Sequence, residues 1–178
     1  MTDEVADVCA MESRIPKTYG GDAVEIPGSR VLLDDLEKAH APWAIVTSGT
    51  KPLVAGWLEV MKLARPKNLV TAEDVQRGKP DPACYLLGQS KLGLARGAST
   101  LVLEDAPAGV RAGKAAGFSV VALATTHSIE RLREAGADWI VRDMRSVTMK
   151  QYDKKKGEVK IEISGALEGV MVGCIALN

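Results

Sequence analysis

Leu101-Val102-Leu103-Glu104-Asp105-Ala106-Pro107-Ala108-Gly109 is the stretch on which the fold turns. With Thr100 in front, an apolar run of strand length ends in two adjacent acids. Pro107 follows where the first turn of a helix tolerates proline, and Gly117 stands where that helix stops. Strand, acidic end and helix in that order suit a buried parallel strand. The pattern continues on both sides. Downstream, Phe118 to Ala124 reads as a buried strand, Ile129 to Ala135 as a helix and Trp139-Ile140-Val141 as a short last strand. Upstream, Ala44-Ile45-Val46-Thr47 is a strand, Pro52 to Lys62 an amphipathic helix, Asn68 to Thr71 a second strand and Pro82 to Leu92 a helix. Apolar strands alternating with helices predict an α/β, doubly wound, Rossmann-like parallel sheet covered on both faces.

Outside that core the texture changes. Residues 3–12 show a weak helical pattern, and Ile15-Pro16 to Pro27-Gly28 reads as a linker rich in proline and glycine. Ser29 is placed to cap a helix through about Ala39. After about Ser146, Val159-Lys160-Ile161-Glu162-Ile163 alternates with period two, which predicts a C-terminal hairpin or edge strand. Lys154-Lys155-Lys156 belongs to the solvated turn of that hairpin. The apolar tail from Gly169 to Asn178 has no clear period.

Composition narrows the function. The 178 residues carry 23 basic and 23 acidic side chains, 46 % hydrophobic and 26 % charged residues. That is an ordinary globular profile. With no net positive charge, nothing favours a nucleic acid or an acidic membrane surface as partner. The longest apolar runs are far too short to span a bilayer. Cys9, Cys84 and Cys174 are odd in number and widely spaced, and the N-terminus is acidic, so a cytoplasmic protein with reduced thiols is expected. Nothing in the sequence sets an oligomeric state.

Three segments lie at predicted strand ends, where open α/β sheets bind ligands. Thr47-Ser48-Gly49-Thr50 offers hydroxyls and backbone N–H groups to an anion, although such residues also cap helices. In Arg77-Gly78-Lys79-Pro80-Asp81-Pro82, two prolines fix the backbone around Lys79, and Gly78 permits a tight approach. Glu104 and Asp105 repel each other at a buried strand end, so a positive group is expected beside them. Oxygen ligands with a phosphate substrate suit Mg²⁺. The plain alternative makes Asp105 a helix cap and pairs Glu104 with a basic residue. His40 and His127 read as helix-end residues, and Trp43, Trp57 and Trp139 as packing groups.

Taken in order, strand-Thr, then Gly-Lys-Pro, then strand-Glu-Asp-x-x-x-Gly resembles the second, third and fourth motifs of the haloacid dehalogenase superfamily. Thr47-Ser48-Gly49-Thr50, Gly78-Lys79-Pro80-Asp81-Pro82 and Glu104-Asp105-Ala106-Pro107-Ala108-Gly109 are similar to its glycerol-phosphate and 2-deoxyglucose-6-phosphate phosphatases. The likeness runs from about Ile15 to about Ile163. It implies hydrolysis of a small sugar or polyol phosphate through an aspartyl-phosphate, with Mg²⁺ as cofactor. Thr47, with the Ser48 backbone, would bind the phosphoryl group. Lys79 would neutralise its oxygens and the nucleophile, and Glu104 and Asp105 would hold the metal.

The sequence departs from the family at the first motif, the Asp-x-Asp-Gly-Thr turn whose first aspartate is the nucleophile. Asp34-Asp35 falls inside a predicted helix, Asp3 and Asp7 follow no apolar strand, and Asp22 lies in the linker. The resemblance therefore implies a core lacking the first strand and most of the cap. Residues 1–15 are then a remnant of a helical cap domain and 16–28 a linker. The core covers 29–145, and 146–178 form the C-terminal hairpin or edge strand and tail. A fragment of a phosphatase, inactive alone, is expected; the alternative is a non-catalytic phosphate- and Mg²⁺-binding module.

Overall fold

The computed structural model describes residues 3–169 and 174–177. Its centre is three parallel strands, β3 (Leu101–Glu104), β4 (Ser119–Leu123) and β5 (Trp139–Val141), in the order β3-β4-β5. Period-two alternation sends the two sides of β4 into two different cores. Val120 and Ala122 join Val102, Val110, Leu132 and Ile140 on one face. Val121 and Leu123 join Leu32, Val141, Val147 and Ile161 on the other. Residues buried on both faces explain why β4 reads as an unbroken apolar run.

The first face is covered by α5 (Ala83–Lys91), α6 (Pro107–Ala115) and α7 (Ile129–Glu134). The second is covered by α3 (Ser29–Ala39) and by an antiparallel sheet. That sheet comprises β6 (Val147–Asp153), β7 (Glu158–Ile163) and β8 (Cys174–Leu177) in sequential order. The predicted hairpin is thus β6–β7, with Lys154, Lys155 and Lys156 exposed in its turn. Its inward residues Val159, Ile161 and Ile163 pack on the parallel sheet. The tail that showed no period supplies β8, while residues 170–173 and 178 lie outside the described residues.

A second parallel unit contains β1 (Ala44–Val46), α4 (Lys51–Val60) and β2 (Asn68–Val70). Among the described residues, β1 pairs only with β2, and β3 only with β4. The two parallel units therefore do not merge into one hydrogen-bonded sheet.

Two local expectations are corrected. Ser29 does not cap α3. Gly28, at φ +92°, holds the N-cap position without a side-chain hydrogen bond. A Cβ there would also fall 2.4 Å from the Arg145 nitrogen, so glycine is required twice over. The segment read as a linker begins with α2 (Ile15–Tyr19). Pro16 sits in its first turn, where proline is tolerated, and is buried against Gly56 of α4. That tertiary contact makes helix of a stretch whose composition signals a loop. Before it, α1 (Asp3–Glu12) also packs on α4.

Candidate active site

The three segments singled out above meet at the carboxyl ends of β1 and β3. Lys79 comes from the loop before α5, and its Nζ donates to Glu104 Oε1 and to the carbonyl of Val46, the latter at 3.3 Å. The ammonium also stands 5.0 Å from the centre of the Tyr85 ring, within cation–π range. Lys79 is only 12 % exposed and Glu104 7 %, so this is a buried ion pair.

Every oxygen of Glu104 is engaged. Tyr85 on α5 donates its hydroxyl to Oε1 at 2.7 Å. Oε2 accepts the backbone N–H groups of Asp105 at 3.0 Å and Ala106 at 3.1 Å. The carboxylate thus folds back over the start of α6. That path needs Gly109, because a Cβ there would lie 2.0 Å from the Glu104 carboxylate. The glycine five residues after Glu104 is therefore a clearance for its side chain. Burial is the largest single influence on the Glu104 carboxyl and pushes it upward, but the Lys79 charge and the hydrogen bonds from Lys79, Tyr85 and Ala106 together outweigh it. The net direction is downward. Burial, and then the negative charge of Glu104, drive the Tyr85 phenol well above its ordinary range.

Asp105 faces the rim. Its Oδ2 accepts the Thr126 hydroxyl at 2.7 Å, and His127 Nδ1 lies 3.1 Å from its carbonyl. It does not cap α6; Ala106 occupies that position with no side-chain cap. The plain alternative therefore holds for Glu104, paired with Lys79, and fails for Asp105. A signal for the 126–127 contact was present, since polar residues directly after a strand belong to the ligand-binding edge of such sheets. Tyr85 had none, because its position on α5 becomes meaningful only once α5 is laid across both strand ends.

At the end of β1, the Thr47 hydroxyl accepts the Gly49 N–H at 3.0 Å, a turn bond and not a helix cap. The start of α4 is held instead by distant carboxylates. Glu12 accepts the Thr50 N–H at 3.0 Å, and Glu73 accepts the Lys51 N–H at 2.9 Å. Ser48 is exposed beside them. Gly78 has open space where a Cβ would be, so no protein group demands the close approach expected of it.

Among the described residues, no cluster of three or more His, Cys, Asp or Glu forms a ready metal cage. Two adjacent carboxylates at a cationic pocket nevertheless suit Mg²⁺, which binds through one or two carboxylates and keeps water or phosphate oxygens. Asp105, on the rim, fits direct ligation. Glu104, held by Lys79 and Tyr85, fits contact through water.

Residues 13–123 match the family described as haloacid dehalogenase-like hydrolase. Glycerol-1-phosphate phosphohydrolase 1 of Saccharomyces cerevisiae is 38 % identical over 158 residues, covering 85 % of this chain and 63 % of the relative. Hexitol phosphatase A of Escherichia coli is 40 % identical over 160 residues, covering 88 % and 72 %. Among solved structures, a hydrolase from Pseudomonas syringae superposes with a TM-score of 0.69 at 31 % identity, over 81 % of this chain and 67 % of that one. The chain thus spans a little under two thirds of the yeast phosphohydrolase. No helix among the described residues is long and apolar enough to cross a membrane. Family match, sequence identity and superposition agree with the motif order: the chain belongs to the haloacid dehalogenase-like hydrolases.

Proposed function

We propose that this chain forms the phosphate- and Mg²⁺-binding part of a phosphomonoester hydrolase acting on a small polyol or sugar phosphate. The carrying observation is the buried Lys79–Glu104–Tyr85 cluster joining the ends of β1 and β3, with Asp105 on its rim. Relatives named for glycerol-1-phosphate and hexitol substrates support the substrate class.

Each residue then has a role its chemistry allows. Phosphoryl transfer depends mostly on positioning and charge stabilisation. Lys79 supplies a fixed cation for the phosphate oxygens, held in place by Glu104 and by the Val46 carbonyl. Thr47 and the Ser48 N–H supply neutral donors. Asp105, with Glu104 behind it, holds Mg²⁺, which when bound adds positive charge against the transferred group. Covalent transfer also needs a positioned carboxylate nucleophile. The acid against Lys79 is Glu104, already committed to four donors. The chain by itself therefore binds phosphate without turnover.

Calorimetry with Mg²⁺ and inorganic phosphate tests this, alongside assays with p-nitrophenyl phosphate and glycerol phosphate. Phosphate binding that strengthens with Mg²⁺ is expected, with Mg²⁺ affinity at least tenfold weaker in Asp105→Asn and phosphate binding lost in Lys79→Ala. Unchanged affinities in both variants would refute the site. Mg²⁺-dependent hydrolysis abolished by Lys79→Ala would keep the site but show that the chain brings its own nucleophile.

A further inference from the structure

Tyr85 stands on α5 at one wall of the apolar cleft between β1 and β3, and it touches both members of the buried ion pair at the head of that cleft. Main-chain direction decides how each strand reaches Lys79. The Thr47 N–H donates to the Val70 carbonyl at 3.0 Å, so Thr47 and Ile45 turn toward β2, while Ala44 and Val46 turn toward the cleft. There the Val46 carbonyl accepts from Lys79 Nζ at 3.3 Å. On the opposite side the Ser119 N–H donates to the Thr100 carbonyl at 3.1 Å. Val102 and Glu104 then turn their main chain toward β4, and Leu101 and Leu103 turn theirs toward the cleft. The end of β3 therefore reaches Lys79 through the Glu104 carboxylate.

An ammonium carries three N–H donors, and the Val46 carbonyl and Glu104 Oε1 engage two of those on Lys79. Its third neighbour is the face of the Tyr85 ring, with Nζ 5.0 Å from the ring centre. A ring face attracts the cation without neutralising it, whereas a second carboxylate in that place would cancel its charge. The Tyr85 hydroxyl acts on the other partner. It donates at 2.7 Å to Glu104 Oε1, the same oxygen that Lys79 uses. Oε2 is taken by the Asp105 and Ala106 N–H groups, so the two donors must share Oε1. A hydroxyl proton on that oxygen offsets part of its negative charge and loosens its grip on the ammonium, an effect that a low-dielectric interior enlarges. Ring and hydroxyl thus act in one direction. Lys79 is fixed in place, yet part of its charge stays uncommitted.

We propose that Tyr85 is a positioning residue for phosphate binding: its ring steadies the Lys79 ammonium and its hydroxyl shares Glu104 Oε1, leaving one Lys79 N–H for a phosphate oxygen. This role rests on the reading of the site as a phosphate site, and it gives that site a residue that touches neither phosphate nor metal.

The full chain and its Tyr85→Phe and Tyr85→Leu variants are titrated by calorimetry with inorganic phosphate in the presence of Mg²⁺, and separately with Mg²⁺ alone. Loss of the hydroxyl in Tyr85→Phe should weaken phosphate binding about threefold. Loss of hydroxyl and ring together in Tyr85→Leu should weaken it about tenfold. Mg²⁺ affinity should stay within about twofold in both, because the Asp105 carboxylate is held by Thr126 and not by Tyr85. The Lys79 ε-methylene protons give a mark independent of phosphate: the ring should shift them upfield in the free protein, and the shift should persist in Tyr85→Phe and vanish in Tyr85→Leu. Where Tyr85→Leu does not melt cooperatively, the isosteric Tyr85→Phe alone decides. Phosphate affinity unchanged in Tyr85→Phe would overturn the role and leave the phosphate reading standing. Phosphate and Mg²⁺ weakened in the same proportion, the mark of a residue that only packs, would overturn it as well, and so would a wild type without the upfield shift. A wild type that shows the shift but binds no phosphate would refute the phosphate reading, and this role with it.

Discussion

The β1–α4–β2 unit and the β3–α6–β4–α7–β5 unit are written in the same alternation of apolar strand and helix, yet they are held very differently. In the second unit Val120, Val121, Ala122 and Val141 are wholly buried, and β4 has a strand on each side and a layer on each face. In the first, every residue of β1 is only half-buried, α4 has no buried residue, and one edge of β1 borders the cleft. Local sequence pattern specifies each element. Burial depends on neighbours along both edges and over both faces, and only the second unit has them all.

The two units are joined where Lys79, in the loop following the first, meets Glu104 at the head of the second, and this strut carries the largest expected effect. Glu104→Gln leaves the Lys79 ammonium buried without its counter-charge and should cost about 3–5 kcal/mol in urea unfolding. A loss below about 1 kcal/mol would show that the units are not coupled there. The pH dependence has a definite sign. Because the folded-state value of Glu104 is lowered, its contribution is complete above the ordinary carboxyl value near 4.5 and disappears as pH falls through the lower folded value. Melting curves between pH 7 and pH 3 should show this acid-side loss in the wild type and a shallower one in Glu104→Gln.

The contrast in burial predicts the next effect. Leu132, wholly buried beneath β4 and β5, should lose about 2–5 kcal/mol on replacement by alanine, and Ile45→Ala in half-buried β1 less than half as much. Equal losses would erase the distinction between the units. Smaller still is the role of the loop after β4. Thr126→Val removes the hydroxyl that orients Asp105 and should weaken Mg²⁺ binding about tenfold, with Thr126→Ser restoring it. An unchanged affinity in Thr126→Val would separate that loop from the site.

Much of this was legible in the sequence because it rests on short-range rules. The order of strands and helices followed from apolar runs and their punctuation by Pro107 and Gly117. The need for a cation beside Glu104 followed from placing two acids at a buried strand end, and Lys79 fills it. What could not be read depends on contacts between distant parts of the chain. Glu12 and Glu73 hold the start of α4 from α1 and from the segment after β2, and no local pattern announces either. Gly109 reads as a motif letter until the Glu104 carboxylate is seen to occupy the space of its missing side chain. Pro16 reads as a linker residue until Gly56 is brought against it. The tail became a strand only because β7 offered it an edge.

Two parallel units face each other across a cleft between β1 and β3, with the site at its head. Residue-resolved hydrogen exchange on the free chain tests this most directly, because hydrogen bonding on one edge only must make protection alternate along a strand. The expected result is strong protection at Val120 to Ala122, intermediate protection at Ile45 and Val102, and exchange at least tenfold faster at Ala44, Val46, Leu101 and Leu103 than at those two neighbours. Uniform protection through residues 44–46 and 101–104 would mean that β1 and β3 are paired in solution, and would contradict the account.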